Sequence, residues 1–146
     1  MHEDELQVFI DGAVNYFTTV TDTAAEVGSP YLVDTPKKLE FTGIIGISGR
    51  KKGLVYFTAP RPMLSRLLAF MGEADMNNDN LADMVGEVAN TLSGNARKEF
   101  GKDFMISVPV VVSGDNENIK VPKGVKSYAI PISWRNHCAF VVISIE

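Results

Sequence analysis

The sequence is poor in the residues that support disulfides, metal clusters and histidine chemistry. It has one cysteine, Cys138, and two histidines among 146 residues. One cysteine cannot form an internal disulfide, and its position in an apolar segment predicts a buried thiol in a reducing compartment. So few histidine and cysteine side chains leave no cluster of them that could hold a metal ion, and none is predicted.

Long apolar runs and excess positive charge are also missing. No apolar run approaches the roughly 18 residues that a membrane-spanning helix needs, and the N-terminal MHEDEL is acidic where a signal peptide is basic. Fourteen basic residues against eighteen acidic ones give a net charge of −4. Such a chain offers no positive field to a phosphate backbone or an anionic membrane. The sequence therefore predicts a cytoplasmic protein that binds neither nucleic acid nor membrane.

What the sequence does contain is enough apolar material for one core. Of its 146 residues, 45% are hydrophobic and 22% are charged. A chain of this length buries roughly two-thirds of its unfolded surface when it folds. We therefore expect residues 1–146 to form a single domain that folds alone.

Hydrophobic spacing divides the chain into helices and strands. Three segments have the spacing of amphipathic helices: residues 4–19, 61–71 and 81–100, the last with Asn80 as its N-cap. Strands are indicated for residues 39–47, 54–58, 104–112, 128–134 and 138–145, and a loop for residues 113–124. Threonines and prolines punctuate the stretch from 20 to 38, in which residues 21–33 are β-permissive but have no clean period.

The arrangement of these segments predicts an α+β fold with an antiparallel sheet packed against helices. Strands at hairpin spacing come in runs rather than in strict alternation with helices. Each half of the chain is a helix followed by strands, which suggests two duplicated halves although no sequence repeat supports this. Pro109 and Pro131 cannot donate to a sheet ladder, so their strands are expected at edges or bulges.

The segment from Leu81 to Phe100 has two faces of different chemistry. At about 100° per residue, one face is apolar and belongs to the core. The other face carries polar side chains and glycines: Asp83, Gly86, Glu87, Asn90, Thr91, Gly94, Arg97 and Lys98. Glu87 and Asn90 are i, i+3 neighbours and point in the same direction.

An ordinary solvated surface is the simplest interpretation of Glu87 and Asn90, but their neighbours weaken it. Glycine inside a helix costs about 1 kcal/mol relative to alanine, and Gly86 and Gly94 stand on either side of the pair. Asparagine is also a poor mid-helix residue, because its amide competes for backbone hydrogen bonds. Bare backbone beside projecting polar groups suits the close approach of a partner surface.

The stretch from Glu87 to Asn95, EVANTLSGN, resembles the E-x-x-N signature of the CheC/CheX chemotaxis phosphatase family, which dephosphorylates the response regulator CheY. In the family that the chain resembles, the CheC-like members carry two such motifs. Here the first helix has Asp11 and Asn15 instead, an i, i+4 pair. With one motif, the chain resembles the CheX-like members. The resemblance implies a CheC-like fold and a homodimer.

The same resemblance implies how the helix would act on a phosphorylated receiver domain. The receiver supplies Mg²⁺ and a lysine, so the helper needs no cofactor of its own. Asn90 would hold the attacking water, and Glu87 would pair with the receiver's lysine. Contacts with the receiver are then expected from the same face: Asp83, Gly86, Thr91, Gly94 and Arg97.

Two functions from other classes remain as alternatives. A non-catalytic adaptor of the same fold would bind a receiver or a flagellar-switch protein without turnover, and the intact motif favours the enzyme over it. A small-molecule sensor has no positive signal in the sequence.

Two further groups of residues resemble known kinds of site only in part. The segment from Asp75 resembles a calcium loop, but its sixth position is Asn80 instead of glycine and its twelfth is Gly86 instead of glutamate. His137 and Cys138 are neighbours on a predicted strand, so their side chains point to opposite faces and cannot act as a base and its nucleophile.

Overall fold

The computed structural model of the chain describes residues 3–35, 38–114, 119, 121 and 123–146. In these residues the elements follow the order α1 (Glu3–Thr21), β1 (Glu26–Val27), β2 (Tyr31–Val33), β3 (Phe41–Gly49), β4 (Gly53–Ala59), α2 (Arg61–Phe70), α3 (Asn78–Phe100), β5 (Phe104–Ile106), β6 (Val110–Ser113), β7 (Ser127–Trp134) and β8 (His137–Ile145). The α+β prediction is confirmed. Half of the loop expected at 113–124 lies outside the described residues.

The described strands form one antiparallel sheet of eight strands, in the order β1-β7-β8-β4-β3-β5. β2 adds to the outer edge of β7, and β6 adds to the outer edge of β3. The hairpins β3–β4 and β7–β8 therefore meet at the centre, where β4 pairs with β8. In the first half of the chain, β1 and β2 pair with the β7–β8 hairpin, and in the second half β5 and β6 pair with the β3–β4 hairpin. The same pairing therefore occurs twice, as the sequence suggested.

Two prolines set the limits of the short edge strands. The single strand expected over residues 104–112 is instead two strands, because the segment around Pro109 leaves the ladder between β5 and β6. Pro131 lies inside β7, opposite the gap between β1 and β2, where its missing N–H costs no ladder bond. Its carbonyl accepts a hydrogen bond from the Gly28 N–H at 2.9 Å.

The helices cover one face of the sheet and build the main core there. This cluster takes side chains from all three helices and from both central hairpins. At its edge, the Trp134 indole N–H donates to the Thr21 hydroxyl at 3.3 Å, and its ring lies 5.8 Å from that of Phe17. These contacts fix the C-terminal end of α1 against β7. Helix α1 buries Tyr16, whereas the apolar Val14 is 38% exposed.

Helix α3 packs on β3 and β4 of the sheet and also against α1. It crosses β3 so closely that a Cβ on Gly43 would lie 2.6 Å from the Val85 carbonyl oxygen. Glycine at this position lets the helix backbone rest directly on the strand. None of the described helices is long and apolar enough to span a membrane.

Candidate functional site

The candidate site is a narrow exposed stripe along α3. The helix buries residues on both flanks of this stripe, because it packs on the sheet on one side and against α1 on the other. Five positions about one turn apart remain at least partly open to solvent: Asp83, Glu87, Asn90, Gly94 and Arg97. The site is therefore a ridge on the protein surface rather than a pocket.

The ends of α3 fix where the ridge begins and stops. Asn77, not Asn80 as the sequence suggested, is the N-cap. Its side-chain oxygen accepts from the Asn80 N–H at 2.8 Å, and its backbone has the extended conformation of a cap. The helix ends at Gly101, whose N–H donates to the Arg97 carbonyl at 2.9 Å. Basic Arg97 and Lys98 in the last turn complement the helix dipole.

Glu87 and Asn90 are both exposed on this ridge. In the part of the chain that the structure describes, neither side chain makes a hydrogen bond or an ion pair with another residue. The carboxylate of Glu87 and the amide of Asn90 are thus free to bind an external partner. One carboxylate can accept from a cation, and one amide can both donate to and accept from a water molecule.

Gly86 does not lie on the ridge, so its expected place on the partner-facing side is wrong. It is buried, and a Cβ built on it would lie 3.1 Å from Val111 Cγ2 and 3.6 Å from Pro109 Cβ. The segment between β5 and β6 crosses the helix at this point. Gly86 therefore serves packing inside the fold, where the edge strands approach α3.

Gly94 has the environment that Gly86 lacks. It is half-buried, and a Cβ on it would meet nothing within 4 Å. No contact inside the described fold requires glycine here. Of the other expected contact residues, Asp83 and Arg97 are exposed and Thr91 is half-buried. These four positions surround Glu87 and Asn90 in an open arrangement that a flat partner surface could cover.

Tyr16 of α1 lies beside this site and was not singled out from the sequence. Tyr16 is only 6% exposed, and its hydroxyl is buried without a hydrogen-bond partner among the described residues. Burial raises the pKa of the Tyr16 hydroxyl above its usual value of 10.0, and the nearby Glu87 carboxylate raises it further. Tyr16 continues the i, i+4, i+7 spacing of Phe9 and Ala13, a signal that could have placed it inside.

A shallow groove of about 370 Å³ runs beside the ridge, between α1 and α3. It is lined by Val8, Asp11, Gly12, Asn15, Asn95, Lys98 and Glu99. The Asp11 and Asn15 pair therefore faces this groove. Glu87 and Asn90 lie outside it, so the groove and the ridge are separate features of the same helix pair.

The remaining candidate residues are placed away from the ridge. Among the described residues there is no group of three or more histidine, cysteine, aspartate or glutamate side chains that could hold a metal ion. Cys138 is exposed, which corrects the expectation of a buried thiol. It lies near the start of β8, where the strand leaves the β7–β8 turn, and its sulfur is 3.8 Å from the Ser133 hydroxyl.

Comparison with known proteins gives a family match and shows the same fold in solved structures. The model of a family described as chemotaxis phosphatase CheX matches residues 41–133, which include the whole of α3. A comparison with curated proteins found no match.

Solved structures share the fold over nearly the whole chain. A CheC-like superfamily protein from Shewanella sp. PV-4 has a TM-score of 0.85 and 27% identity, covering 100% of this chain and 99% of that one. A CheX from Desulfovibrio desulfuricans has a TM-score of 0.85 and 26% identity, covering 98% and 99%. The CheX–CheY–BeF3–Mg²⁺ complex from Borrelia burgdorferi has a TM-score of 0.77 and 21% identity, covering 99% of both chains. At that last identity the likeness shows the fold alone.

Proposed function

The chain belongs to the CheX family of chemotaxis phosphatases, and we propose that it uses Glu87 and Asn90 of α3 to hydrolyse the aspartyl phosphate of a CheY-type receiver. The observation that carries this proposal is the exposure of both side chains on one ridge, free of partners in the described part of the chain. The solved Borrelia complex of CheX with CheY, BeF3 and Mg²⁺ supports the choice of partner.

Asn90 orients the attacking water. Hydrolysis of a phosphoryl group needs a water in line with the bond that breaks, and holding it there lowers the entropic part of the barrier. The Asn90 amide is exposed at the middle of a rigid helix, with Gly94 leaving open space one turn further on. The oxygen of a short, positioned amide can accept a hydrogen bond from the water, and its NH2 group can donate one to a phosphoryl oxygen.

Glu87 docks the helix on the receiver. One turn before Asn90, its carboxylate pairs with a receiver lysine and thereby fixes where the Asn90 amide points. Asp83, Thr91 and Arg97 contact the receiver around this pair, while Gly94 lets its backbone come close. Gly86 takes no part, since it is buried under Pro109 and Val111.

Mg²⁺ comes with the receiver and not with this chain. It neutralises charge that develops on the phosphoryl oxygens. The ridge adds no group of metal ligands of its own among the described residues. The receiver thus supplies the metal ion, and this chain supplies one amide and one carboxylate.

The chain acts in the cytoplasm, where receivers are found, and as a homodimer. The free edge at β5 and β6 supports the dimer, because it exposes apolar side chains: Met105 is 48% exposed, Val110 58% and Val108 80%. Sedimentation as a monomer at working concentration would rule the dimer out.

The test measures phosphate loss from a phosphorylated CheY-type receiver with Mg²⁺ present. The parent protein accelerates it, Asn90→Ala loses about a hundredfold of the acceleration, and Glu87→Ala raises the KM for the receiver. The matched control is Glu99→Ala, an exposed acidic residue further along the same helix. Equal acceleration by the parent and Asn90→Ala contradicts the role of Asn90.

The same experiment separates the enzyme from the adaptor. Binding is measured to receiver loaded with BeF3 and Mg²⁺, the composition of the Borrelia complex. Binding by the parent without any acceleration of phosphate loss would identify a non-catalytic adaptor for a receiver or a flagellar-switch protein.

A further inference from the structure

Tyr16 and Glu87 come from different helices and are brought together by the packing of α1 on α3. The two helices run antiparallel. Near one end the rings of Phe9 and Phe100 are 6.2 Å apart. One turn further along α1, a Cβ on Gly12 would lie 3.8 Å from Leu92 Cδ2. Another turn of α1 leads to Tyr16, and the matching turn of α3 leads back toward Glu87.

Tyr16, like Ser93 and Ser144, has a buried hydroxyl without a hydrogen-bond partner among the described residues. A buried hydroxyl without a partner costs about 1–3 kcal/mol, so such groups are rare unless they have a use. The Tyr16 ring is firmly held: it packs edge-on against Phe17, with the ring centroids 5.4 Å apart. Phe17 in turn packs on Trp134. The Tyr16 hydroxyl therefore has a fixed position near the Glu87 carboxylate, which makes no hydrogen bond or ion pair with another described residue.

From this placement we propose that Tyr16 is a positioning residue, whose hydroxyl donates a hydrogen bond to the Glu87 carboxylate when a partner covers the ridge. The inference rests on the proposed function of Glu87 in docking the receiver. In the free protein, water solvates the exposed carboxylate. A docked partner removes that water, and a carboxylate buried without full pairing is costly. A lysine of the receiver would satisfy one oxygen, and the Tyr16 O–H would satisfy the other.

The bond would also select a conformation. Glutamate has three rotatable side-chain bonds, so an exposed Glu87 samples many positions, and ordering it costs entropy. A charge-assisted O–H···O⁻ bond from a rigid donor fixes one of them. Tyr16 thereby presents the Glu87 carboxylate in a defined place, and through it the docked position of Asn90.

The first test is a double-mutant cycle of Tyr16→Phe with Glu87→Ala, measured as phosphate loss from the receiver. Tyr16→Phe keeps the ring that packs on Phe17 and removes only the hydroxyl. We expect it to raise the KM about tenfold and to leave kcat within about twofold, the loss of one hydrogen bond to a charged group. In the Glu87→Ala background the same change should have no further effect.

A purely structural role for the hydroxyl predicts a different pattern. It would lower thermal stability and would raise KM equally in both backgrounds. Our proposal predicts unchanged or higher thermal stability for Tyr16→Phe, because an unpartnered buried group is removed. An equal, additive loss in both backgrounds would overturn the proposal.

The second test does not depend on turnover, so it separates this inference from the proposed function. Tyrosines are replaced by 3-fluorotyrosine, and the Tyr16 ¹⁹F resonance is assigned by its absence in Tyr16→Phe. Addition of receiver loaded with BeF3 and Mg²⁺ should shift this resonance in the parent and not in Glu87→Gln. Glu99→Gln, an exposed carboxylate on the same helix but outside the ridge, is the matched control and should keep the shift.

The outcomes of the two tests are distinct. A parent that binds the receiver without hydrolysing its phosphate defeats the proposed function, while the ¹⁹F shift still supports the role of Tyr16. A Tyr16 resonance that ignores the receiver, or that shifts equally in Glu87→Gln, overturns the role of Tyr16 whether or not the protein is a phosphatase.

Discussion

Gly43 of β3 and Gly86 of α3 touch backbone to backbone where the helix crosses the sheet. The Gly86 Cα lies 3.0 Å from the place that a Cβ on Gly43 would occupy, and the Val85 carbonyl oxygen lies 2.6 Å from it. Glu87 follows Gly86 directly in the sequence. The height of the exposed ridge of α3 above the sheet is therefore set by a contact that only glycine at residue 43 allows.

Gly43→Ala should destabilise the fold by about 3 kcal/mol, since the added methyl meets helix backbone that cannot turn aside. The free energy of unfolding in urea measures this. Gly86→Ala is the matched control: its methyl would meet the Val111 side chain at 3.1 Å, and the gain in helix propensity of about 1 kcal/mol offsets the crowding. A Gly43→Ala protein as stable as the parent would contradict the close contact.

Gly94→Ala should separate stability from activity. A Cβ there meets nothing within 4 Å, so the helix gains about 0.5–1 kcal/mol from the better propensity of alanine. If a receiver backbone approaches this point, the same methyl obstructs it. We expect a higher melting temperature together with a higher KM for the receiver, and the larger Gly94→Leu should raise KM further. Unchanged KM in both variants would remove Gly94 from the docking surface.

Ionisation of Tyr16 should lower the free energy of unfolding at high pH. Burial, and then Glu87, raise the pKa of its hydroxyl above the usual 10.0. The unfolded chain therefore loses this proton at lower pH than the folded one. The contribution of the neutral Tyr16 hydroxyl to the free energy of unfolding is therefore fully present below pH 10 and declines as the pH rises above 10.

The measurement is the urea unfolding free energy at neutral pH and at about pH 11. The parent should lose up to about 1.4 kcal/mol per pH unit from each such tyrosine. Tyr16→Phe should lose less than the parent over this interval. Tyr31→Phe is the control, because Tyr31 is 39% exposed, and it should follow the parent. Identical pH dependence in all three proteins would contradict the burial of the hydroxyl.

Much of the fold could be predicted from the sequence because its signals are local. The apolar spacing of α3, the proline at the start of α2 and the alternation in β3 and β7 each depend on residues close together in the chain. Errors occurred where a distant partner decides the structure. Residues 104–112 have the apolar character of one strand, but both resulting strands pair with β3 at different registers, and the segment around Pro109 passes between them.

The cysteine shows the same limit. Cys138 follows His137 at the start of an apolar run, and the run is indeed buried from Val141 to Ile145. Cys138 itself lies opposite Ser133 near the turn, on the same sheet face as Phe140 and Val142, which is opposite the face that the helices cover. Composition indicated an interior strand correctly, but it could not identify the face of that strand that the helices cover.

The sequence by itself determined the family, the amphipathic form of α3 and the pairing of Glu87 with Asn90, because i, i+3 positions share a helix face in any surroundings. Only the tertiary structure decided which parts of that face stay open. Gly86 does not belong to the exposed face, because the segment between β5 and β6 covers it. Gly94 stays on the exposed face, because no described residue lies within 4 Å of the place where its Cβ would be. The tertiary structure also brought Tyr16 beside Glu87, since antiparallel packing of α1 on α3 joins residues that no local pattern connects.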